Sequence, residues 1–268
     1  MTAITQPTIT RPAASRLTTG GILNSEWIKL RSVRSPIWSF SIAILVTVGF
    51  AALLSVPLGE QSLGSADAAS ELGGIATTGV LFSQIVVAVL GVLVITGEYT
   101  TGMIRSTLSA VPSRVGALGG KAVVLFVATF VVAVIASVLA FGVSSLMYAS
   151  REVSASLFDS RVLLPILGGA LYLALLALFS LGIGTILRSS AGGIAAVLGV
   201  LLLLPLLLSF IPFDWAAEVA PFLFGNAGIA FWQPGAGGLE WWQDLLVTIG
   251  WVVASLGGGA VLLTRRDA

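Results

Sequence analysis

The chain has 268 residues, of which 57% are hydrophobic and only 9% are charged. Soluble domains carry about 25% charged residues, so this composition predicts an integral membrane protein. The formal net charge of +1 provides no basic surface for nucleic acid. Because the chain has no Cys and no His, it can form neither disulfides nor the usual zinc and haem sites. Catalysis by imidazole or thiolate is excluded for the same reason.

The first 20 residues are rich in Thr, Pro, Ala and Ser and contain no apolar core. This composition predicts a disordered cytoplasmic tail over residues 1–20 rather than a cleavable secretion signal. We expect residues 21–268 to form a single transmembrane domain.

Residues 22–34 predict an amphipathic helix that lies flat on the membrane surface. Asn24 or Ser25 is placed to cap its start, and the chain would turn into the first span at Pro36. Trp together with Lys and Arg is the mixture expected at the boundary of the lipid headgroups. The residues assigned to this interfacial helix are Glu26, Trp27, Lys29 and Arg31.

Six long apolar runs follow, and a helix needs about 20 such residues to cross about 30 Å of hydrocarbon. The runs are continuous rather than alternating, which favours helices over the strands of a barrel. The spans are predicted at about 37–58, 75–96, 119–148, 162–187, 191–211 and 245–264.

Lys and Arg are distributed unevenly between the two sides that these spans define. Arg151 and Arg161 are the only two of the 13 that fall in the outer loops. Since cytoplasmic loops are enriched in Lys and Arg, the bias predicts that both termini are cytoplasmic. The acidic residues on the outer side are Glu60, Asp67, Glu71, Glu152, Asp159, Asp214, Glu218, Glu240 and Asp244.

Residues 97–114 form a polar segment between the second and third spans, and their spacing predicts a short amphipathic helix that ends at Pro112. Glu98 and Arg105 fall on its polar side. We interpret that side as a docking surface for a soluble partner subunit. Glu98 could instead cap the helix, where the dipole favours a carboxylate, or pair with Arg105. A surface loop that merely joins two spans is the alternative for the whole segment.

The longest outer loop, residues 212–244, is not simply polar. Residues 221–232 are an apolar run about half as long as a spanning helix, which predicts a re-entrant or interfacial segment before the last span. Trp241 and Trp242 are interpreted as anchors at the membrane boundary.

The predicted spans contain essentially no charged residues, and Gln84 is the most polar residue deep inside one. Ion-coupled carriers and channels with charged filters place ionisable groups there, so neither class is favoured. Residues 116–121 superficially resemble a phosphate loop, but the spacing is wrong and Ala122 follows Lys121. Without His, a Ser-His-Asp triad cannot form. Energy for any transport would have to come from another polypeptide.

Taken in order, these features resemble the membrane subunit of a bacterial ATP-binding-cassette (ABC) exporter of the ABC-2 type. The resemblance covers almost the whole chain after residue 20. It is carried by the Asn24–Arg34 segment, by six spans with both ends inside, and by Gly97-Glu98-Tyr99 followed by Gly102 and Arg105. The Trp-Ile-Lys-Leu-Arg sequence that begins at Trp27 is similar to permeases of actinobacteria.

The resemblance implies that residues 97–114 are a cytoplasmic coupling helix, seated in a cleft of an ATPase subunit in the bacterial cytoplasmic membrane. ATP-driven closure of the ATPases would move this helix, and a homodimer or heterodimer of permeases would assemble above two ATPases. The chain itself would bind no cofactor and would not be an enzyme, because ATP and Mg²⁺ belong to the partner. The residues assigned to docking are Gly97, Glu98, Tyr99, Gly102, Arg105, Ser106, Ser109 and Arg114.

The expected cargo is an amphiphile such as a drug, a peptide antibiotic or a lipid-like molecule, moved outward. The chain has no large extracellular domain, which counts against macrolide or lipoprotein export, and no fused nucleotide-binding domain, so the ATPase would be encoded separately. The alternative is a membrane accessory or immunity protein that binds a toxin or lipid without a motor. An uncharacterised membrane enzyme is disfavoured by the missing His, Cys and intramembrane acids.

Overall fold

The computed structural model describes residues 18–56, 68–111, 113–149, 155–233 and 239–265. Within these ranges the chain is all-α, and six of its helical units are long and apolar enough to cross a membrane. This confirms the prediction of an all-α integral membrane protein with six spanning helices. Most of the predicted tail, residues 1–17, lies outside the described residues, whereas residues 19 and 20 already belong to the first helix.

We number the helices in chain order. They are α1 (Thr19–Ser32), α2 (Arg34–Ser55), α3 (Ala68–Thr78), α4 (Val80–Thr100), α5 (Met103–Ala110), α6 (Arg114–Tyr148), α7 (Ser160–Leu187), α8 (Ser190–Leu198), α9 (Leu204–Ser209), α10 (Asp214–Val219), α11 (Phe224–Ala230) and α12 (Trp241–Arg265). A π-helical turn at Gly199–Leu203 joins α8 to α9, and a 3₁₀ turn at Ala220–Phe222 follows α10.

The spanning helices match the predicted runs in number and order but not at their ends. The second span runs over Ala68–Thr100 as α3 and α4 rather than 75–96, and the third begins at Arg114 rather than 119. The first span is Arg34–Ser55 rather than 37–58, and the fifth ends at Ser209 rather than 211. Hydropathy marks only the residues suited to hydrocarbon, whereas helical backbone hydrogen bonding continues into the polar residues beyond them.

The first helix starts earlier than the sequence pattern predicted. The Thr18 hydroxyl accepts a hydrogen bond from the Gly21 backbone N–H at 3.2 Å, so Thr18 is the N-cap. The predicted caps, Asn24 and Ser25, lie inside α1 and are corrected here. Val33 is extended and separates α1 from α2, which begins before Pro36.

Helix α7 lies at the centre of the bundle and packs against α4, α6 and α12. Glycine brings these backbones together. A Cβ on Gly91 of α4 would lie 2.5 Å from the Ala177 carbonyl oxygen of α7, and one on Gly182 of α7 would lie 2.5 Å from the Ser255 carbonyl carbon of α12. In a bilayer, close backbone approach of this kind is a main source of helix association. The buried Tyr172 hydroxyl of α7 also donates to the Gln84 side-chain oxygen of α4.

One end of the bundle, which we call the α1 end, gathers the ends of several spans. Arg114 at the start of α6 donates to the Leu263 carbonyl near the end of α12 at 2.8 Å. Arg188, in the left-handed conformation after α7, lies over the Tyr99 ring at 5.2 Å. Ser190 of α8 donates to Thr96 of α4 at 2.8 Å. Lys121, two turns into α6, contacts Glu26 of α1, so α1 and the end of α12 lie at the same end of the bundle.

The segment between the fifth and sixth spans folds back among the helices. Phe224, at the start of α11, is fully buried and stacks on Phe179 of α7 with ring centroids 4.5 Å apart. Trp251 of α12 donates to the Phe222 carbonyl at 2.9 Å. Phe179 lies eight residues before the end of α7, which is about 12 Å along the helix axis. That residues 221–232 form a re-entrant or interfacial segment of the membrane stays a prediction.

Candidate functional site

The polar segment after the second span consists of two helices rather than one. Gly102 has φ +72°, a left-handed conformation that residues with a Cβ adopt at a cost, and it separates α4 from α5. The single helix predicted over 97–114 is therefore corrected: residues 97–100 are the last turn of α4, and α5 covers Met103–Ala110. Pro112, the predicted end, lies outside the described residues.

Helix α5 has one side turned to the bundle and one side open. Ile104 is buried and Thr107 half-buried, whereas Arg105, Ser106 and Ser109 are exposed. Arg105 is thus exposed, as expected of a residue on the polar side of the predicted helix. The exposed side is polar and includes Arg105, and among its described residues Ser106 and Ser109 donate side-chain hydrogen bonds to backbone carbonyls of α5.

A cluster of four charged side chains lies beneath α5, and we call Glu26, Lys29, Glu98 and Lys121 the ion-pair cluster. Lys121 Nζ donates to Glu26 Oε2 at 2.6 Å and to Glu98 Oε1 at 2.7 Å. Lys29 Nζ donates to Glu26 Oε1 at 2.6 Å, to Glu98 Oε1 at 3.0 Å and to the Thr107 hydroxyl at 3.1 Å. The cluster thus joins α1, α4, α5 and α6.

The charges of the ion-pair cluster balance, with two carboxylates and two ammonium groups. Glu26 and Glu98 are each 4% exposed and Lys121 is 5% exposed. Burial of Lys29 opposes its charge, but the carboxylates of Glu26 and Glu98 outweigh that effect and raise the pKa of Lys29 above its ordinary value. Charge-assisted hydrogen bonds of this length are strong, and removing one partner from a buried pair is far more costly than breaking an exposed pair.

The local sequence explains why these side chains meet. Glu26 and Lys29 are three residues apart on α1, which places them on the same face of the helix. Gly120, next to Lys121, has no side chain where Ile22 of α1 approaches, since a Cβ there would lie 2.6 Å from Ile22 Cγ2. The small residue lets α1 lie directly against the first turns of α6.

The structure separates the predicted docking residues into two groups. Gly102, Arg105, Ser106 and Ser109 are exposed, whereas Gly97, Tyr99 and Arg114 are half-buried and Glu98 is buried. The expectation that Glu98 shares the open face with Arg105, or pairs with it, is wrong because the turn at Gly102 directs the two residues differently. Glu98 pairs with Lys29 and Lys121 instead.

The interfacial-helix residues are divided in the same way. Trp27 and Arg31 are exposed, with the Arg31 guanidinium 5.8 Å from the Trp27 ring, whereas Glu26 and Lys29 belong to the ion-pair cluster. Sequence reasoning rejected a phosphate loop at residues 116–121 and did not recognise Lys121 as part of a charged cluster. The available signal was its position seven residues inside α6, where a lone cation needs a buried partner.

A cavity of about 190 Å³ opens beside the ion-pair cluster. Leu30, Val33, Leu93, Val94 and Val124 are among the apolar residues that line it. Among the described residues, no group of three or more His, Cys, Asp and Glu side chains is placed to hold a metal ion.

The comparisons with known proteins agree with this architecture. A family model described as ABC-2 family transporter protein matches residues 22–205, which run from α1 into α9 and include α5 and the ion-pair cluster. The chain belongs to the ABC-2 transporter family. It is a multi-pass permease subunit of an ABC transporter, and this membership implies an ABC ATPase partner that carries ATP hydrolysis. No curated protein matches the chain.

Replacing Gly102 of the ABC-2 permease with Ala tests the turn between α4 and α5. The space around Gly102 is open, so the added methyl group meets no neighbour. The left-handed φ alone is expected to cost about 1–2 kcal/mol, which loosens α5 without unfolding the spans. Limited proteolysis should cut near residues 102–111 faster in this variant. Gly119→Ala, where φ is helical and the space is equally open, is the control and should be cut like the wild type.

Proposed function

We propose that this permease exports an amphiphilic substrate, driven by a separate ABC ATPase that docks on the exposed side of α5. One observation carries the proposal: α5 is open and polar on one side, while on the other side Thr107 is hydrogen-bonded to an ion-pair cluster shared with three other helices. A docking helix that is tied to several spans can pass a partner's movement to all of them.

The transmission would run through the ion-pair cluster. When the ATPases close, α5 would turn about Gly102, and the hydrogen bond from Lys29 to Thr107 would make Lys29 move with it. Lys29 shares both carboxylates of the cluster with Lys121, so α1, the end of α4 and the start of α6 shift together. Buried charge-assisted contacts suit this role because separating them costs more than moving the helices as a unit.

The distribution of Lys and Arg supports a cytoplasmic position for α5 and for both termini. With α5 reachable by a soluble ATPase, the protein would reside in the bacterial cytoplasmic membrane. The ATPase would bind ATP and Mg²⁺, and this chain would bind neither. The walls of the spans are mainly apolar, with buried polar contacts such as that between Gln84 and Tyr172, and they suit an amphiphile such as a drug, a peptide antibiotic or a lipid-like molecule.

Two permeases, identical or different, would stand above two ATPases, as the family arrangement implies. The spanning helices are not equally buried: within an apolar 18-residue stretch of each, 17% of the residues are buried in the first span (α2) and in the fifth (Ser190–Ser209), against 61% in α7. The outer helices therefore have ample surface for a second permease and for lipid.

Replacing Arg105 with Ala tests the docking surface. Arg105 is exposed on α5, so its loss leaves the fold unchanged. If its guanidinium pairs with an acid of the ATPase, binding should weaken about tenfold, which corresponds to about 1.4 kcal/mol. The measurement is the amount of ATPase that co-purifies with tagged permease in mild detergent, together with export of a fluorescent amphiphile.

Arg161→Ala is the matched control. Arg161 is also an exposed Arg, but it lies at the start of α7, at the end of the bundle away from α5, and it pairs with Asp159. This variant should retain both the ATPase and export. Undiminished ATPase binding and export by Arg105→Ala would contradict a docking role for this residue. Purified permease that never carries an ATPase would favour the motor-independent accessory function instead.

A further inference from the structure

We infer that the exposed side of the junction between α1 and α2 binds the headgroup of an anionic phospholipid. Two pairs of exposed side chains form this side, Trp27 with Arg31 on α1 and Arg34 with Trp38 on α2, and we call the four residues the junction patch. The inference goes beyond the proposed function, since it concerns a lipid held by one permease chain whether or not an ATPase is docked.

The ion-pair cluster determines which side of α1 is open. Glu26 and Leu30 are buried against the bundle, and Glu26 is held there by Lys121 of α6. At 100° per residue, Trp27 and Arg31 lie about 100° and 140° around α1 from Glu26, so they point away from this contact. The Arg31 guanidinium lies 5.8 Å from the centroid of the Trp27 ring, and this cation–π contact holds the two side chains together on the open side.

The two arginines of the junction patch have no carboxylate to neutralise them within the part of the chain that the structure describes. The described acids at the α1 end are Glu26 and Glu98, and both are buried within the ion-pair cluster. Neither Arg31 nor Arg34 forms an ion pair with a described residue. Their two positive charges are therefore available to an external anion. A phosphate group suits them because a guanidinium donates two parallel hydrogen bonds to it.

The position and the surroundings of the junction patch favour a lipid over an acidic protein surface. Arg34 is the first residue of the first span, so it lies at the edge of the hydrocarbon region. Large aliphatic side chains are exposed around the two arginines, namely Ile28, Val33 and Ile37. Trp and Arg beside exposed aliphatic side chains are typical of the headgroup boundary. A phospholipid satisfies both parts of this surface, because its phosphate meets the arginines and its acyl chains cover the aliphatic residues.

Lipid titration of the full-length permease in detergent, measured by native mass spectrometry, tests the inference. The probes are phosphatidylglycerol, which is anionic, and phosphatidylcholine with the same acyl chains, which has no net charge. Each Arg near an anionic lipid should strengthen binding about fivefold. We therefore expect the wild type to bind phosphatidylglycerol about 25-fold more tightly than phosphatidylcholine. Arg31→Gln combined with Arg34→Gln should reduce this preference to less than threefold.

The matched control is Arg105→Gln combined with Arg265→Gln, which removes two exposed arginines from the same end of the bundle. This variant should keep the lipid preference of the wild type. Equal binding of the two lipids by the wild type would overturn the inference, and so would an equal loss of preference in both double variants. A preference that survives the loss of Arg31 and Arg34 would also overturn it, and loss of ATPase co-purification in that variant would then assign the junction patch to a protein contact.

A second measurement covers the case in which the patch variant does not fold. Hydrogen–deuterium exchange of the wild type should slow over residues 27–38 with phosphatidylglycerol and not with phosphatidylcholine. Equal exchange over these residues with the two lipids would contradict the inference. Neither experiment contains an ATPase, so a negative result here leaves the docking proposal untouched, and the reverse also holds.

Discussion

Replacing Glu98 with Ala is expected to destabilise the permease by about 3–5 kcal/mol and to abolish coupled transport. The change leaves Lys29 and Lys121 buried against a single carboxylate, Glu26, and so leaves one positive charge uncompensated. For a protein of this size we expect the apparent melting temperature in detergent to fall by roughly 10 °C. The measurement is a thermal unfolding curve on purified permease, followed by transport at a temperature where the variant remains folded.

A second substitution separates charge from packing. Glu98→Ala combined with Lys121→Met removes one charge of each sign and leaves Glu26 paired with Lys29, so much of the lost stability should return. Asp159→Ala breaks an exposed pair with Arg161 at the other end of the bundle and should change little. If the melting temperature of Glu98→Ala equalled that of the wild type, the ion-pair cluster would not be what holds α1, α4, α5 and α6 together.

The second large effect is expected at the contact between α4 and α7. Gly91→Ala places a methyl carbon 2.5 Å from the Ala177 carbonyl oxygen and 2.6 Å from Ser180 Cβ, so the two helices must separate. Such overpacking costs about 1–3 kcal/mol, and here it falls on rigid backbone at the centre of the bundle. We expect less folded permease in the membrane and an earlier melting transition, both measured by fluorescence-detected size exclusion.

Gly142→Ala is the matched control for this substitution. Gly142 lies in α6 with no neighbour within 4 Å of an added Cβ. Ala also has the higher helix propensity, by about 1 kcal/mol, so the control should be as stable as the wild type or slightly more stable. Equal losses in the two variants would show that the effect comes from replacing glycine in general and not from the contact with α7.

Hydropathy was sufficient to place all six spans, because length and apolarity alone decide which helices suit a bilayer. It could not place Glu98, since the periodicity was followed across Gly102 as if the helix were continuous. Gly102 itself was the available signal, because glycine often ends a helix in the left-handed conformation. With the break taken into account, Glu98 belongs to the second span and requires a buried partner.

The partners of Glu98 lie beyond the reach of local patterns. Glu26 and Lys121 are 95 positions apart, and no local pattern in either segment predicts that α1 packs against α6. The same holds for the folded-back segment before the last span. Its short apolar run could be recognised in the sequence, but the stacking of Phe224 on Phe179 depends on how α7 is placed in the bundle. Local chemistry identifies such elements, and tertiary packing decides which of their side chains meet.

The distance along the chain between Glu26 and Lys121 also sets an order for biogenesis. Glu26, Lys29 and Glu98 emerge from the ribosome before the cation that completes their balance, so the first two spans must wait in the bilayer with a surplus carboxylate. Only when the third span is delivered can the four charges close upon one another. The ion-pair cluster can therefore form only after the third span has been synthesised. Nascent chains that are halted before that point should still bind insertion chaperones and be cleaved by membrane proteases.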